Sequence, residues 1–433
     1  MQELATRDRV ASATRRISSL ATVDRPAARF VVTALSTQHA RTEIRSCWNQ
    51  LLSANDKPGA LYQSDNYYDY RCESGDTDGD VLAVSETAQG SIVGVVPLKV
   101  TGIGLQFIAR SSVFLRLAPK GLFLLGSEPM LREDDDAFDS LFLYLLQHYP
   151  RARAISMMSV VVDSFTWRYI TTSKLISEIY YIYLPEGPRN CHSIAVPVSL
   201  DAYHRGLSKK RRYNLQRQER LLQEHLAEAV TLVAVERVSR LHELYTAIDQ
   251  LHATDPAILS REQYELACKH GILLCYVLRA GSRTIGLAIG SKSRKTFLVH
   301  KIFHDEALNR YSPGTALWQY ILRDLIERAE FTHVDMGFGD PAYRQHTTNV
   351  IEQRARILLF RRTLANRLRI AAHRGYYAAT TDIKRRLRDS LVGGLLRRHA
   401  LEAGQIQGGL VSALRRVRTI STASTPASDT VFR

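Results

Sequence analysis

Alternating and β-branched apolar runs along the chain predict strands. VLAVSET (81–87) and SIVGVVPLKV (91–100) are split by Ala88-Gln89-Gly90 and read as a hairpin. RAISMMSVV (153–161), AVTLVAV (229–235), ILLCYVLRA (272–280), TIGLAIGSKS (284–293), TFLVHKIFH (296–304), HVDMGFG (333–339) and ARILLF (355–360) have the same character. Helical spacing of apolar residues marks RTEIRSCWNQLL (41–52), DAFDSLFLYLLQHY (136–149), SRLHELYTAIDQLH (239–252) and PGTALWQYILRDLIERA (313–329). Residues 199–226 read as one long helical stretch. Asp136 or Asp139 stands near one helix start and Pro313 near another, where acids and proline suit a helix N-terminus. The resulting order of helices and strands is mixed α/β (α+β), with no Rossmann G-x-G-x-x-G after an opening strand and no P-loop.

A chain of 433 residues exceeds what one core usually holds, so two domains with tails are expected. The segment around Pro185, Gly187 and Pro188 is the expected boundary. The reading is a tail at 1–29, domains at 30–188 and 189–361, a basic helical extension at 362–403 and a second flexible tail at 404–433. With 45% apolar and 23% charged residues, a mostly disordered chain is excluded. The longest apolar candidate, 102–126, is broken by Arg110, Arg116 and Lys120, too soon for a membrane helix. Five scattered cysteines without a C-x-x-C pair predict neither a disulfide framework nor a zinc site, and a reducing cytoplasm is the expected setting. The first 30 residues lack the apolar block of a secretory signal.

The net charge of +15 is uneven. Residues 351–400 hold thirteen Arg or Lys against Glu352, Asp382 and Asp389, and residues 201–225 hold seven bases against three acids. Such windows fit an anionic partner: a phosphorylated cofactor, an acidic carrier protein, a membrane surface or nucleic acid. A solvated helix surface fits as well.

Three clusters carry candidate chemistry. Arg310-Tyr311-Ser312-Pro313-Gly314-Thr315-Ala316 sits between a strand and a helix. Free N–H groups at such a helix start bind anions, glycine lets a phosphate approach, and Ser312 is the expected N-cap. Asp335-Met336-Gly337-Phe338-Gly339-Asp340-Pro341-Ala342-Tyr343-Arg344 places two carboxylates, a tyrosine and an arginine at a strand end. Acids there can take a proton from an amine and a tyrosine can give one to a leaving group; a capped turn is the plainer account. LSKKRRYNLQRQERLL (207–222) has four consecutive bases beside an aromatic, but Leu215, Leu221 and Leu222 give it an apolar side and no aromatic ladder follows. A nucleic-acid partner is therefore not expected.

In that order and spacing, SKKRRYNLQRQERLL, RYSPGTAL and VDMGFGDPAYR resemble the GNAT superfamily, and in particular its cellulose-biosynthesis-associated (CelD-like) acyltransferases. CHSIAVPVSLDAYHRGL (191–207), the Trp48 helix, PGALYQS (58–64) and LLGSEPML (124–131) extend the resemblance over roughly residues 40–350. It implies two GNAT-like halves in tandem, similar to Fem-type transferases, and transfer of an acyl group, usually acetyl, from acyl-CoA to an amine. It implies that Arg310, Tyr311, Ser312, Gly314, Thr315 and Ala316 cradle the CoA pyrophosphate, with Tyr311 at the position where the superfamily carries Gln or Arg. It also implies Tyr343 as proton donor to the departing thiolate, with Asp335 or Asp340 accepting the amine proton. His300 and His304 on the neighbouring strand are alternative bases or structural residues. No metal is required. The expected acceptor is a small-molecule or glycan amine. A carrier-protein or aminoacyl-tRNA donor, and an inactive binding module of the same fold, remain alternatives. The basic helices beyond residue 362 either touch an anionic membrane or pack on the second domain.

Overall fold

The computed structural model describes residues 28–389, apart from 36–37, 55–58, 77–78, 110–111, 127, 227 and 339–347. The architecture is mixed α/β. The strands are β1 Phe30–Ala34, β2 Gly79–Glu86, β3 Ile92–Gly102, β4 Leu105–Ala109, β5 Ser112–Leu117, β6 Lys120–Leu124, β7 Met130–Leu131, β8 Ala154–Val161, β9 Tyr180–Tyr183, β10 Arg189–Ala195, β11 Val230–Val235, β12 Cys275–Ala280, β13 Arg283–Ser293, β14 Thr296–His304, β15 His333–Phe338 and β16 Val350–Arg361. Among the described residues, fourteen of them form one sheet, ordered β1-β2-β3-β6-β8-β16-β10-β15-β14-β13-β12-β11, with β7 on β3 and β9 on β16. β4 and β5 form a separate hairpin.

The sheet repeats one plan. In each half, consecutive strands pair antiparallel, a helix crosses over, and the next strand returns parallel to the last one. The first half does this with β6, the Asp135–His148 helix and β8, paired over Gly121–Phe123 and Ala154–Ser156. The second uses β14, the Pro313–Arg328 helix and β15, paired over Thr296–Leu298 and His333–Asp335. β16 closes the seam: its start pairs with β10 and its end with β8 and β9.

Each half buries its own apolar cluster. Leu141, Phe142 and Leu145 of the first crossover helix pack on β2, β3 and β8, and Leu317, Ile321 and Leu325 of the second pack on β12 and β13. A further cluster joins the halves: Leu61, Tyr67 and Tyr70 from the first pack with Leu241, Leu244, Tyr264 and Leu298 from the second.

Several expectations are corrected. The stretch 199–226 is two helices, Leu200–Arg205 and Lys209–Leu226, because Gly206 caps the first and Ser208 accepts from Arg211 N at the start of the second. The 41–52 stretch likewise divides at Ile44 between Gln38–Glu43 and Arg45–Ala54. The 102–126 stretch holds β4, β5 and β6. The Leu364–Asp389 helix packs on the β4–β5 hairpin of the first half, not on the second: Tyr376 and Tyr377 hydroxyls donate to the carbonyls of Ile108 and Gln106 at 2.6 and 3.0 Å. No described helix is long and apolar enough to cross a membrane. All five cysteines are free thiols.

Candidate functional site

β14 and β15 are hydrogen-bonded only at their first residues. Beyond Leu298 and Asp335 their ladder stops, although β14 runs on to His304 and β15 to Phe338. Parallel strands that part in this way leave backbone groups of both facing a common gap. On its other edge β14 carries a bulge against β13, where Val299 pairs with Gly290 and Lys301 with Ile289, so that His300 is the extra residue.

The Pro313–Arg328 helix starts beside the far end of β14. Ser312, expected to cap it, does not. It sits in the left-handed region at φ 56 and ψ 55, and its hydroxyl makes no cap bond. That backbone turns the side chain away and leaves only the Ser312 carbonyl to receive the N–H groups of Thr315 and Ala316, at 3.0 and 3.1 Å. Proline at N1 has no N–H, and the N–H of Gly314 has no acceptor among the described residues. The first turn carries no acid. A Cβ on Gly314 would meet only His304 Nδ1, at 3.5 Å, so no protein contact requires glycine there. Open space, a free N–H and the positive end of the helix dipole fit a phosphate group. Thr315 is half-buried on this turn, while Ala316 is fully buried under it.

Cations and rings flank this start. The Arg310 guanidinium lies over the Tyr311 ring at 4.6 Å, and Tyr311 stacks on His225 with ring centres 4.4 Å apart. The departure at Tyr311 therefore still leaves an exposed arginine beside the helix N-terminus. His304 is exposed and bonds Asn309 Oδ1 through Nε2 at 2.9 Å. The basic run Lys209–Arg212 lies elsewhere. Arg211 is fourteen residues from His225 along the same helix, about 21 Å at 1.5 Å per residue. The structure thus separates two basic features that sequence alone could have merged.

Asp335 stands where β14 and β15 part. Its Oδ2 receives Arg354 Nη1 at 2.8 Å, and its Oδ1 receives the N–H of Gly337 at 2.7 Å. Arg354 also donates to Glu352 at 2.9 Å from Nη2. Burial opposes the arginine's charge, but Asp335 and Glu352 more than offset it and raise its pKa. Both Asp335 oxygens are thus committed in this arrangement, with the carboxylate charge balanced by Arg354. His300 bonds Ser291 Oγ through Nε2 at 2.9 Å, and burial lowers its pKa to about 4, so it is neutral at pH 7. The first half reaches this point through Tyr62. Burial first, then the Asp335 charge, raise its hydroxyl well above the usual tyrosine range and keep it protonated. Its ring leans edge-on against Tyr67 at 5.1 Å. Asp340 and Tyr343 lie outside the described residues.

Arg354, Tyr62 and the free Gly314 N–H are the parts that the sequence reading missed. Arg354 had little signal, since it stands beside Glu352, Gln353 and Arg356 just ahead of the apolar run 355–360. Tyr62 had none, because it arrives from the other half.

Residues 209–345 match the family model described as an acetyltransferase (GNAT) domain. The chain is also similar in fold to solved structures. FemX superposes with a TM-score of 0.52 at 9% identity, covering 75% of this chain and 96% of that one. A tandem GNAT protein from the clavulanic acid biosynthesis pathway gives 0.43 at 13%, covering 77% and 98%. The C-terminal domain of a putative lysylphosphatidylglycerol synthetase from Agrobacterium fabrum gives 0.45 at 11%, covering 75% and 93%. No curated protein matches the chain significantly. The match gives residues 209–345 the character of a GNAT-type acetyltransferase domain.

Proposed function

We propose that the protein transfers an acyl group, acetyl in the first instance, from acyl-CoA to an amine, as the CelD-like resemblance implies for polysaccharide or cell-envelope metabolism. The observation that carries this reading is the uncapped helix start with Gly314 beside the gap between β14 and β15. The gap offers backbone groups to a thioester, and the helix start offers N–H groups and dipole to the pyrophosphate, with Arg310 and His304 beside it.

In the reaction, the neutral amine nitrogen attacks the thioester carbon, the C–N bond forms and the C–S bond breaks. Backbone N–H groups along the parted strand would stabilise the oxyanion. Asp340 or Asp335, directly or through water, takes the amine proton. Asp335 would need its bond to Arg354 or Gly337 to loosen before it could take that proton. Tyr343 returns a proton to the thiolate.

The test is calorimetric titration of the full chain with acetyl-CoA, longer acyl-CoAs and free CoA. Micromolar binding that follows acyl length supports the reading and identifies the donor. No binding across the series transfers the proposal to a carrier-protein or aminoacyl-tRNA donor, for which the basic windows would supply an anion-binding face.

A further inference from the structure

The Leu364–Asp389 helix has two dissimilar faces. One packs on the β4–β5 hairpin through Ile370, His373, Tyr376 and Tyr377; His373 and Tyr376 both meet the Phe107 ring, at 5.3 Å each. The opposite face is uncovered among the described residues. Leu364, Leu368, Ala372, Gly375, Ala379 and Ile383 recur at helical spacing and are all exposed, Leu364 at 68%, Leu368 at 60% and Ile383 at 56%. The spacing puts them on one stripe. Asp382 interrupts the stripe near its end, where it is bonded by Arg385 and Arg386. Arg367, Arg374 and Arg385 stand exposed along one margin. On the hairpin side, Phe114 is 59% exposed and its ring lies 5.6 Å from Tyr376, with Val113 and Leu115 exposed beside it.

We propose that this face is a docking surface for an anionic phospholipid membrane, with the helix lying in the plane of the headgroups. The stripe of Leu, Ile and small residues enters the boundary between headgroup and acyl chain, and the arginines pair with lipid phosphates. Charge selects this occupant. The helix has seven bases against Asp382 and Asp389, so a second copy would bring two positive surfaces together. Nucleic acid would meet the arginines but has no partner for the apolar stripe. The sequence beyond the helix continues the same mixture, with Leu395-Leu396-Arg397-Arg398 and Leu414-Arg415-Arg416-Val417-Arg418. The inference does not rest on the identity of the acyl donor.

Vesicle flotation of the full chain tests it, with equal parts phosphatidylcholine and phosphatidylglycerol compared with phosphatidylcholine alone. The expected result is flotation with the anionic vesicles at low salt, about tenfold weaker on neutral vesicles and weakened at high salt. The double variants L364E/L368E and R367E/R385E each reduce flotation by about tenfold while thermal unfolding stays unchanged, as expected for exposed positions. Three results overturn the proposal: no flotation at low salt, equal flotation on neutral vesicles, or variants that float like the parent. So does a change in oligomeric state of L364E/L368E without lipid, which would make the stripe a protein contact.

Discussion

The Asp135–His148 helix of the first half begins with Asp134, whose side chain accepts from the N–H of Asp136 at 2.9 Å, and carries Asp135 and Asp136 in its first turn. The Pro313–Arg328 helix, at the same place in the second half, begins with a left-handed Ser312, no side-chain cap and no acid. The gaps beside these helices differ in the same sense. In the first half, the Glu128 carboxylate accepts from Val161 N at 3.0 Å, and Gln63 Nε2 bonds the Glu128 carbonyl. The first half thus supplies its own anions to N–H groups on its crossover helix and returning strand, while the second leaves its helix start open. One topology gives a half whose helix start is capped and a half whose start is open, the proposed binding half, and the difference lies in a few side chains at the crossover.

The predictions test this contrast, in descending size. Arg354→Ala leaves half-buried Asp335 beside Glu352 with no cation, and should cost about 2–4 kcal/mol in denaturant unfolding. A smaller loss would mean that the second gap does not depend on that pair. Gly314→Arg should weaken acyl-CoA binding by about 100-fold, or about 2.7 kcal/mol, with the unfolding midpoint little changed. Calorimetry alongside thermal unfolding separates the two effects, and normal CoA affinity would end the assignment of the binding half. Glu128→Ala removes the acceptor of Val161 N–H and should cost about 1–3 kcal/mol, with no effect on CoA affinity; a matching loss of affinity would show that the halves are not divided as described.

His300 gives the contrast a pH dependence. Its folded pKa, about 4, lies below its ordinary value of 6.5, so the unfolded chain binds the extra proton first. Its contribution is complete above pH 6.5 and is lost as pH falls towards 4. For a partly exposed ring this amounts to about 1–2 kcal/mol at most. Unfolding of His300→Phe across that range should show a flatter slope than the parent. The smallest effects concern the caps. Asp134→Ala should cost about 1 kcal/mol, and Ser312→Ala close to none, since only Asp134 caps its helix. Ser312→Gly should instead stabilise by about 1 kcal/mol by relieving the left-handed backbone. Equal costs for the two alanine variants, read by thermal unfolding, would erase the distinction between the helix starts.

Much of this was legible in the chain. The β2–β3 hairpin, both crossover helices, β11 to β15 and the Gly314 turn follow from apolar period and turn residues, which are local signals. The motif order 207–222, 310–316 and 335–344 located the GNAT-type domain for the same reason. Other features were hidden. Ser312 reads as a cap by residue type, but a cap depends on φ and ψ, which the three-residue context did not reveal. ARILLF reads as a final strand, yet β16 lies mid-sheet between β8 and β10, because strand order follows from pairing and not from sequence position.

The sequence by itself determined the mixed α/β class, the basic C-terminal region and the place of the Pro313–Arg328 helix start, because residue type and spacing act over a few neighbours. Tertiary structure alone decided that Arg354 pairs with Asp335, that Glu128 receives Val161 N–H, and that the last helix keeps an apolar and basic face exposed among the described residues. Those outcomes join residues tens to hundreds of positions apart, and only the packing of two halves along one sheet brings them together.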